Sequence, residues 1–291
     1  MILKYAVSFV GYVFLAWCLI VGALFFFQRS LLYFPDQQSA GDPQSYGLDT
    51  AEVVKIPVEE GIELTSWYIP PKTDKHPVMV LFHGNAGDIG DRAHKARFYH
   101  DFGMGVFLVE YRGYAGNPGK PTEKGLYADG KASIEYLIRK RQVSAQRLII
   151  YGESLGTGTA TEMMLFYDAA ALVLETPFTS IGSVAQSLYP IVPVKFLLWD
   201  KFDNAKKIKK IQSPLLILHG TADETVPYVE GQRLYSTAIE PKELVSIEGG
   251  IHNNLYDFTQ TGRSVIGFLK NHRILEPIPA ETLDDATTSV D

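Results

Sequence analysis

The residues best suited to chemistry lie in one pentapeptide, Gly152-Glu153-Ser154-Leu155-Gly156. The apolar run LIIY directly precedes it, and the helix-like stretch TGTATEMMLFY directly follows. Between a strand and a helix, a G-x-S-x-G pentapeptide is typical of a tight, strained turn that presents the serine oxygen above a sheet. A side chain at position 152 or 156 would collide where the strand reverses into the helix, so glycine is expected at both. The pattern therefore predicts Ser154 as a nucleophile.

A nucleophilic serine needs a base, and the base needs an acid that orients it. In sites of this kind the chain order is serine, acid, histidine, and three histidines follow Ser154. His252 is the predicted base, because its loop GGIHNN lies after an apolar strand and before the last predicted helix. His219 ends a predicted strand and is expected to be a packed, hydrogen-bonded residue. His272 lies near the end of the last helix, where a cation suits the helix dipole.

The predicted acid is Asp223, in the loop HGTADETVP. This loop follows a predicted strand, and open α/β sheets carry their sites at the carboxyl ends of strands. Glu224 is the nearest rival, because either carboxylate could orient an imidazole. Asp257 is a third possibility, although we expect it to lie on the final helix.

The oxyanion that forms during acyl transfer needs hydrogen-bond donors, usually backbone N–H groups from two loops. Leu155, the residue after the nucleophile, is predicted to supply one. The second is expected from the loop HGNAGD at 83–88, where glycines flank Asn85 and leave its backbone free to turn toward the site. His83 and Asp88 also match an H-x4-D acyltransferase spacing, but the oxyanion loop already accounts for them.

The elements that must position these residues are apolar runs alternating with helical stretches. Runs that are apolar at every position indicate strands buried on both faces, as in a parallel sheet covered by helices. The pattern predicts a doubly wound α/β domain. Strands are predicted at 53–58, 62–69, 78–82, 106–110, 147–151, 171–174, 215–218 and 244–247, the first two as a hairpin. Helices are predicted near 89–101, 122–142, 156–168, 227–238 and 257–273.

The N-terminal segment is predicted to be a membrane anchor over residues 1–30. Residues 5–27 carry no charged side chain, and about 20 apolar residues suffice to cross the hydrocarbon core of a bilayer. A cleaved signal peptide is the alternative, but the stretch exceeds the roughly 7–15 residues of a signal core. Lys4 and the terminal amine place more positive charge before the helix than Arg29 places after it. Because positive flanks tend to stay in the cytoplasm, this favours a catalytic domain outside the cytoplasm, periplasmic or lumenal.

The rest of the chain divides into a polar linker at 31–50, a catalytic domain at 51–275 and an acidic, disordered tail at 276–291. A formal charge of −6 argues against nucleic-acid binding. Cys18 is the only cysteine, which excludes an intramolecular disulfide and a cysteine-based metal site.

Two further patterns are weak. GYAGNPGK at 113–120 approaches a phosphate-binding loop, but its glycine spacing is one residue too long and Pro121 replaces the Ser/Thr. A lysine cluster could touch an anionic membrane or form a solvated helix face. Its members are Lys201, Lys206, Lys207, Lys209 and Lys210.

Six segments together carry a wider resemblance. They are HGNAGD at 83–88, EYRGYAGNPGKPTE at 110–123, GESLG at 152–156, ETPFTSI at 175–181, HGTADETVP at 219–227 and GGIHN at 249–253. With the connector QRSLLYFP after the anchor, they resemble the α/β-hydrolase superfamily, and within it the small, N-terminally membrane-anchored abhydrolase-domain serine hydrolases. The resemblance implies a mostly parallel eight-stranded sheet flanked by helices, a small cap, a Ser154–His252–Asp223 triad and no metal or organic cofactor.

Relatives in this branch include esterases and protein depalmitoylases, although the cysteine-rich N-terminus of some depalmitoylases is missing here. The resemblance implies hydrolysis of a carboxylic ester or thioester. The membrane anchor and an apolar cap together point to acylated protein or lipid-like substrates near a membrane. A peptidase or amidase, and a catalytically silent binding module, are the alternatives. The short segment 175–213 is expected to form the cap and an open acyl pocket. Its expected lining residues are Phe178, Leu188, Tyr189, Ile191 and Phe196.

Overall fold

A computed structural model describes residues 2–276. Its strands, in chain order, are β1 (Phe34–Pro35), β2 (Glu52–Pro57), β3 (Glu63–Ile69), β4 (Val78–Phe82), β5 (Ala86–Gly87), β6 (Gly105–Val109), β7 (Leu148–Glu153), β8 (Ala171–Glu175), β9 (Leu215–Gly220) and β10 (Lys242–Ile247). Eight of them form one sheet in the order β10-β9-β8-β7-β4-β6-β3-β2. β3 pairs antiparallel with β2 and β6, and the other pairs are parallel. The predicted sheet is confirmed, and its eight strands are the eight apolar runs.

Helices cover both faces of this sheet, which explains why its central strands are apolar at every position. In β4, Val78, Val80 and Phe82 pack into one core, while Met79 and Leu81 pack into the other. Alternate side chains of a strand point to opposite faces, so each core takes every second residue. A fully buried side chain of this kind contributes about 1.5–3 kcal/mol to folding.

The helices are, in chain order, α1 (Ile2–Leu32), α2 (Ala93–Asp101), α3 (Glu123–Lys140), α4 (Gly156–Met163), α5 (Ile181–Leu188), α6 (Val194–Leu197), α7 (Asn204–Ile208), α8 (Tyr228–Thr237) and α9 (Thr259–Asn271). The hydroxyl of Thr122 caps α3 by accepting a hydrogen bond from the N–H of Gly125. α2 begins later than predicted, because a short 3-10 helix occupies Gly90–Arg92. α5, α6 and α7 form the small cap between β8 and β9.

The N-terminal segment is built differently from a free anchor and linker. α1 is long and apolar enough to cross a membrane, by length and composition. Within the predicted linker, however, Tyr33, Ala40 and Leu48 are buried in the cores of the domain. β1 follows α1 after one residue and pairs in parallel with β5. The predicted disordered tail lies outside the described residues from position 277 onward.

Candidate active site

Ser154 lies in the turn between β7 and α4, with φ at +49°. Few residues other than glycine adopt this left-handed conformation, and it lifts the side chain out of the turn. A Cβ on Gly156 would lie 2.0 Å from the carbonyl oxygen of Phe82, and one on Gly152 would lie 2.6 Å from Cα of Thr157. Both neighbours are backbone atoms, so only glycine fits at either position. The predicted steric reason for the two glycines is confirmed.

A buried charge network lies directly under this turn. Glu153 pairs with Arg92 and with Lys95, each at 2.6 Å, and Lys95 also pairs with Glu175 at 2.6 Å. The hydroxyl of Tyr151 donates to Glu175 at 2.5 Å. Burial raises the pKa of Glu153, but the positive charges of Lys95 and Arg92 outweigh it and hold that pKa well below its ordinary value. The residue beside the nucleophile is therefore ionised and fixed from two sides.

Three side chains from separate loops meet above the turn. Nε2 of His252 lies 2.8 Å from Oγ of Ser154, and Nδ1 lies 2.7 Å from Oδ2 of Asp223. An ionised carboxylate only accepts hydrogen bonds, so Nδ1–H donates to Asp223. In the neutral ring Nε2 then accepts the hydrogen bond that the Ser154 hydroxyl donates. The structure thus brings together the three residues predicted for the triad.

Asp223 is held in place from several directions. The N–H groups of Thr225 and Val226 both donate to its Oδ1 at 2.9 Å. Nε2–H of His219, which donates to the carbonyl of Val226, also lies 3.4 Å from Oδ2. Burial raises the pKa of Asp223, but hydrogen bonds from His219 and His252 outweigh it and hold the pKa well below its ordinary value. His219 is packed and fully buried, as expected, and supports the acid.

The rival carboxylates lie elsewhere. Glu224 is exposed to solvent beside the buried Asp223. Asp257 lies in the 3-10 turn Leu255–Asp257 and not on the final helix, as the sequence had suggested, and it too is exposed. His272 follows the last residue of α9 and lies 3.7 Å from Glu243. Among the predicted candidates, only Asp223 contacts His252 in the described part of the chain.

The two predicted oxyanion donors line the same pocket as Ser154. Neither the N–H of Asn85 nor that of Leu155 donates a hydrogen bond to the protein within residues 2–276. The rest of Asn85 is tightly held: its carbonyl accepts from the N–H of Phe34 and from the hydroxyl of Tyr114, both at 2.9 Å. Its side-chain amide donates to the carbonyl of Leu32 at 2.9 Å. The N-terminal segment thus fixes the loop that carries Asn85, which the sequence did not reveal.

The remaining sequence patterns have structural explanations. His83 is fully buried and lies 2.7 Å from Glu110 instead of meeting Asp88. The 113–120 segment forms a tight turn against the N-terminal segment, where the N–H of Ala115 donates to the carbonyl of Asp36. Across residues 2–276, no group of three His, Cys, Asp or Glu side chains is arranged to hold a metal ion.

A pocket of about 330 Å³ opens onto Ser154, within the usual size range for small-molecule sites. Phe178, Leu188 and Tyr189 line it, as expected. Ile191 and Phe196 do not: they are 75% and 90% exposed on the outer surface of the cap, so that part of the prediction is wrong. Ile191 lies on the α5–α6 loop and Phe196 on α6. The buried residues of this stretch are Val192, in the loop, and Val194, in α6.

One wall of the pocket was missed entirely, because it comes from α1 and the residues after it. Its members are Leu24, Gln28, Arg29, Leu31, Leu32 and Phe34. No sequence signal marks this wall, because α1 is apolar around most of its circumference. In the structure, the half-buried residues of α1 recur every three or four positions over its second half, which marks one packed face. These are residues 17, 18, 21, 22, 24, 25, 28, 29 and 32.

Comparisons of sequence agree with this architecture. The family model for serine aminopeptidase, S33, matches residues 73–201. Human alpha/beta hydrolase domain-containing protein 17B (Homo sapiens) is 33% identical over 211 residues, covering 71% of this chain and 71% of that protein. An uncharacterized protein of Mycobacterium tuberculosis is 38% identical over 230 residues, covering 78% of this chain and 81% of that protein.

Comparisons of structure lead to the same fold. The Pyrococcus furiosus esterase Pf2001 matches with a TM-score of 0.66 at 20% identity, covering 82% of this chain and 99% of that chain. The butyrate-bound esterase Est2 of Thermogutta terrifontis matches with a TM-score of 0.64 at 20% identity, covering 79% and 97%. The N-terminal apolar helix fits the membrane-anchored branch of this fold. The sheet, the strand–turn–helix at Ser154 and the similarity to the human hydrolase-domain protein together place the chain in the α/β-hydrolase superfamily, to which it belongs.

Proposed function

We propose that this protein is a serine hydrolase that cleaves esters or thioesters of apolar acyl chains, and that α1 attaches it to a membrane. The observation that carries the proposal is the hydrogen-bonded chain from Asp223 through His252 to Ser154, together with the apolar pocket that Ser154 lines. A serine activated in this way is the standard nucleophile of acyl transfer.

The proposed reaction begins when Oγ of Ser154 attacks the carbonyl carbon of the bound acyl group. His252 takes the hydroxyl proton at Nε2, and the negative charge of Asp223 stabilises the imidazolium that forms. The low pKa of Asp223 supports this role, because the carboxylate stays ionised while the ring next to it gains charge. The tetrahedral intermediate then collapses, and His252 returns the proton to the leaving alcohol or thiol.

The oxygen of the tetrahedral intermediate carries the developing negative charge. The N–H groups of Asn85 and Leu155, which donate to no other group within residues 2–276, are the proposed donors to it. Water then attacks the acyl-enzyme with His252 as base, and the carboxylic acid leaves. These steps use only side chains and backbone groups of this chain.

The match to an aminopeptidase family model makes amide cleavage at a peptide N-terminus the second candidate. An aminopeptidase must bind the substrate ammonium, usually through a carboxylate near the nucleophile. Asp200 is the one carboxylate among the described pocket residues, and it is already committed. It pairs with Arg29 at 2.8 Å and accepts from the N–H of Glu123 at 3.1 Å. The pocket therefore favours acyl esters over peptides.

The apolar lining also favours an aliphatic acyl group over a polar one. Side chains from the cap and from α1 surround the pocket, and the polar ones among them are already paired: Arg29 with Asp200, and Gln28 with backbone groups of the cap. The solved neighbours named as esterases, one of them bound to butyrate, support the same class of substrate. At 20% identity these neighbours share only the fold with this chain, so they do not predict which acyl-chain length it prefers. That length has to be measured.

The test is labelling with a fluorophosphonate probe, followed by kinetics on matched substrates. We expect the wild-type protein to be labelled and Ser154→Ala to be unlabelled, with turnover lower by about 10⁶-fold. A p-nitrophenyl ester series from acetyl to palmitoyl, the matching thioesters and an aminoacyl p-nitroanilide then separate the candidates.

Faster turnover of the anilide than of every ester would make the protein a peptidase. No labelling of a folded wild-type protein, with no turnover of any substrate, would favour the silent binding module. Membrane attachment is tested separately, by extraction of the full chain from membranes with carbonate and with detergent. Release by carbonate alone would contradict it.

A further inference from the structure

The cap carries an exposed apolar surface that extends beyond the pocket. We define the cap lobe as residues 188–199, with the sequence LYPIVPVKFLLW, in which Lys195 is the only charged residue. Phe196 is 90% exposed and Ile191 75% exposed, and they stand beside other exposed apolar side chains. Those neighbours are Leu188, Tyr189 and Trp199. A contiguous apolar patch of this kind usually marks a surface that something else covers.

The cap lobe is attached to the second half of α1. The indole N–H of Trp17 donates to the carbonyl of Ile191 at 3.3 Å. The side-chain amide of Gln28 donates to the carbonyl of Leu197 at 3.2 Å, and its oxygen accepts from the N–H of Trp199 at 2.8 Å. Phe25 packs edge-on against Trp199, with the two ring centroids 5.2 Å apart. The lobe therefore lies alongside α1 over the stretch from Trp17 to Gln28.

The length of α1 then sets the depth of the lobe. Residues 4–16 are all exposed and number 13, so they cover about 20 Å of helix. The hydrocarbon core is about 30 Å thick and needs about 20 apolar residues. Counted from Tyr5, the residue after Lys4, the core extends to about Leu24, and any tilt of the helix extends it further. The stretch of α1 that contacts the cap lobe therefore begins inside the core.

We infer that the cap lobe dips into the bilayer that holds α1, with Ile191 about 10 Å below the end of the core. This depth follows from the hydrogen bond between Ile191 and Trp17, because Trp17 lies seven residues, or about 10 Å of helix, before Leu24. The first charges met beyond the apolar stretch are Arg29 and its partner Asp200, which lie at the level expected for the lipid headgroups.

The pocket lies at the surface end of the two inserted elements, because α1 lines it from Leu24 onward and the cap lobe lines it through residues such as Leu188 and Leu198. An acyl chain that is already in the bilayer therefore enters the pocket from the lipid side, at the level of Leu24, and reaches Ser154 without crossing water. This deepens the proposed function by naming its substrate class as lipid-embedded acyl esters or thioesters, and it rests on the proposed membrane attachment.

Depth is measured by fluorescence in vesicles of phosphatidylcholine that contain lipids with a nitroxide on the acyl chain. A Cys18→Ser background removes the one native thiol, and an environment-sensitive fluorophore is attached to Phe196→Cys or Ile191→Cys of the full chain. Leu15→Cys on α1 is the positive control, and Phe166→Cys is the negative control. Phe166 is 60% exposed and lies just beyond the end of α4, where its ring is contacted by Lys131 of α3 and not by the cap lobe.

We expect the fluorophores at 15, 191 and 196 to be quenched and blue-shifted, and the one at 166 to be unaffected. Quenching at 15 with positions 191 and 196 behaving like 166 would overturn the insertion of the lobe while leaving membrane attachment intact. No quenching at 15 would overturn both. Quenching does not depend on turnover, so a failure of the proposed hydrolase activity would be seen separately, as absent fluorophosphonate labelling.

Kinetics supply the functional arm. Phe196→Ser should leave turnover of a soluble butyryl ester unchanged, because Phe196 lies outside the pocket. On a long-chain acyl ester presented in vesicles, the same variant should lose about tenfold in rate, because one inserted aromatic ring is removed. Phe166→Ser is the matched control and should change neither rate. Equal losses on both substrates in Phe196→Ser would contradict entry from the lipid side.

Discussion

The two halves of the candidate site are supported by different parts of the chain. The three proposed triad residues follow β7, β9 and β10 of one sheet, and packing inside the same domain fixes them. The proposed oxyanion loop with Asn85 and one pocket wall depend on the N-terminal segment, through the carbonyl of Leu32 and the N–H of Phe34. The first half is an internal product of the fold, whereas the second half is shared with the segment that we propose to be a membrane anchor.

This difference predicts two grades of damage. Changes under or within the triad should abolish turnover or unfold the domain, because no other group can replace what is lost. Changes in the N-terminal support should reduce turnover in part, because the donors remain and only their alignment weakens. The four predictions below test this distinction, beginning with the largest effect.

Asp223→Asn should lower kcat by about 10⁴-fold, because the amide stabilises the wrong tautomer of His252. Glu224→Gln, one residue away and exposed, should stay within about twofold of the wild type. Steady-state kinetics on a soluble ester measure both. A larger loss in Glu224→Gln than in Asp223→Asn would show that the acid is misassigned.

Gly156→Ala should destabilise the domain by at least about 4 kcal/mol, because its methyl group would meet the backbone oxygen of Phe82. Gly267→Ala on α9 is the matched control, since a methyl group there meets nothing within 4 Å. The control should be neutral or stabilising by up to about 1 kcal/mol. Urea unfolding followed by circular dichroism measures the difference, and equal stability of the two variants would refute the steric argument.

Glu153→Gln should lower the free energy of unfolding by about 3 kcal/mol at neutral pH, because it removes the buried negative charge that Arg92 and Lys95 share. The surface pair of the half-buried Glu135 and the exposed Arg139 offers the control, and Glu135→Gln should change stability by less than about 0.5 kcal/mol.

The effect of Glu153 should also depend on pH. Its folded-state pKa lies below the ordinary value of 4.5, so its contribution to stability is complete above pH 4.5 and is lost as the pH falls through the folded-state value. The stability gap between the wild type and Glu153→Gln should therefore narrow below pH 4.5. A gap that stays constant with pH would mean that Glu153 acts through its shape alone.

Phe34→Pro should lower kcat by about tenfold on a soluble ester, because proline lacks the N–H that holds the carbonyl of Asn85. Phe34→Ala keeps that N–H and removes a pocket-lining ring, so it should act mainly on KM. Separate effects on kcat and KM would sharpen the distinction between alignment and binding. An unchanged kcat in Phe34→Pro would remove the N-terminal segment from catalysis.

The sequence predicted the elements that rest on local patterns. Ser154 and its two glycines could be recognised because their steric requirement lies within five consecutive residues. The central strands β4, β6, β7, β8 and β9 could be recognised because burial on both faces leaves a continuous apolar run. Asp223 and His252 followed from chain order, since each had to lie in a loop after a strand.

The features that the sequence did not reveal depend on contacts between distant residues. Asn85 meets Leu32 across 53 positions, and Trp17 meets Ile191 across 174. An apolar residue in α1 has the same composition whether it faces lipid, the cap or the pocket. The outward direction of Ile191 and Phe196 was missed for the same reason, because neighbouring apolar residues of a short cap do not disclose which of them point inward.

The single residue between α1 and β1 has a further consequence. A long, flexible linker would let a catalytic domain sample many heights and angles above its attachment point, and each substrate would be met in a different orientation. Tyr33 leaves no such slack, since it is buried and its neighbours on both sides are hydrogen-bonded to the domain. The entropic cost of orienting the domain relative to α1 is therefore incurred once, when the chain folds, and not at each encounter with a substrate. With the proposed membrane attachment, Ser154 is held at a fixed height above the bilayer, and the proposed hydrolase would select acyl bonds by their distance from the membrane as well as by their chemistry.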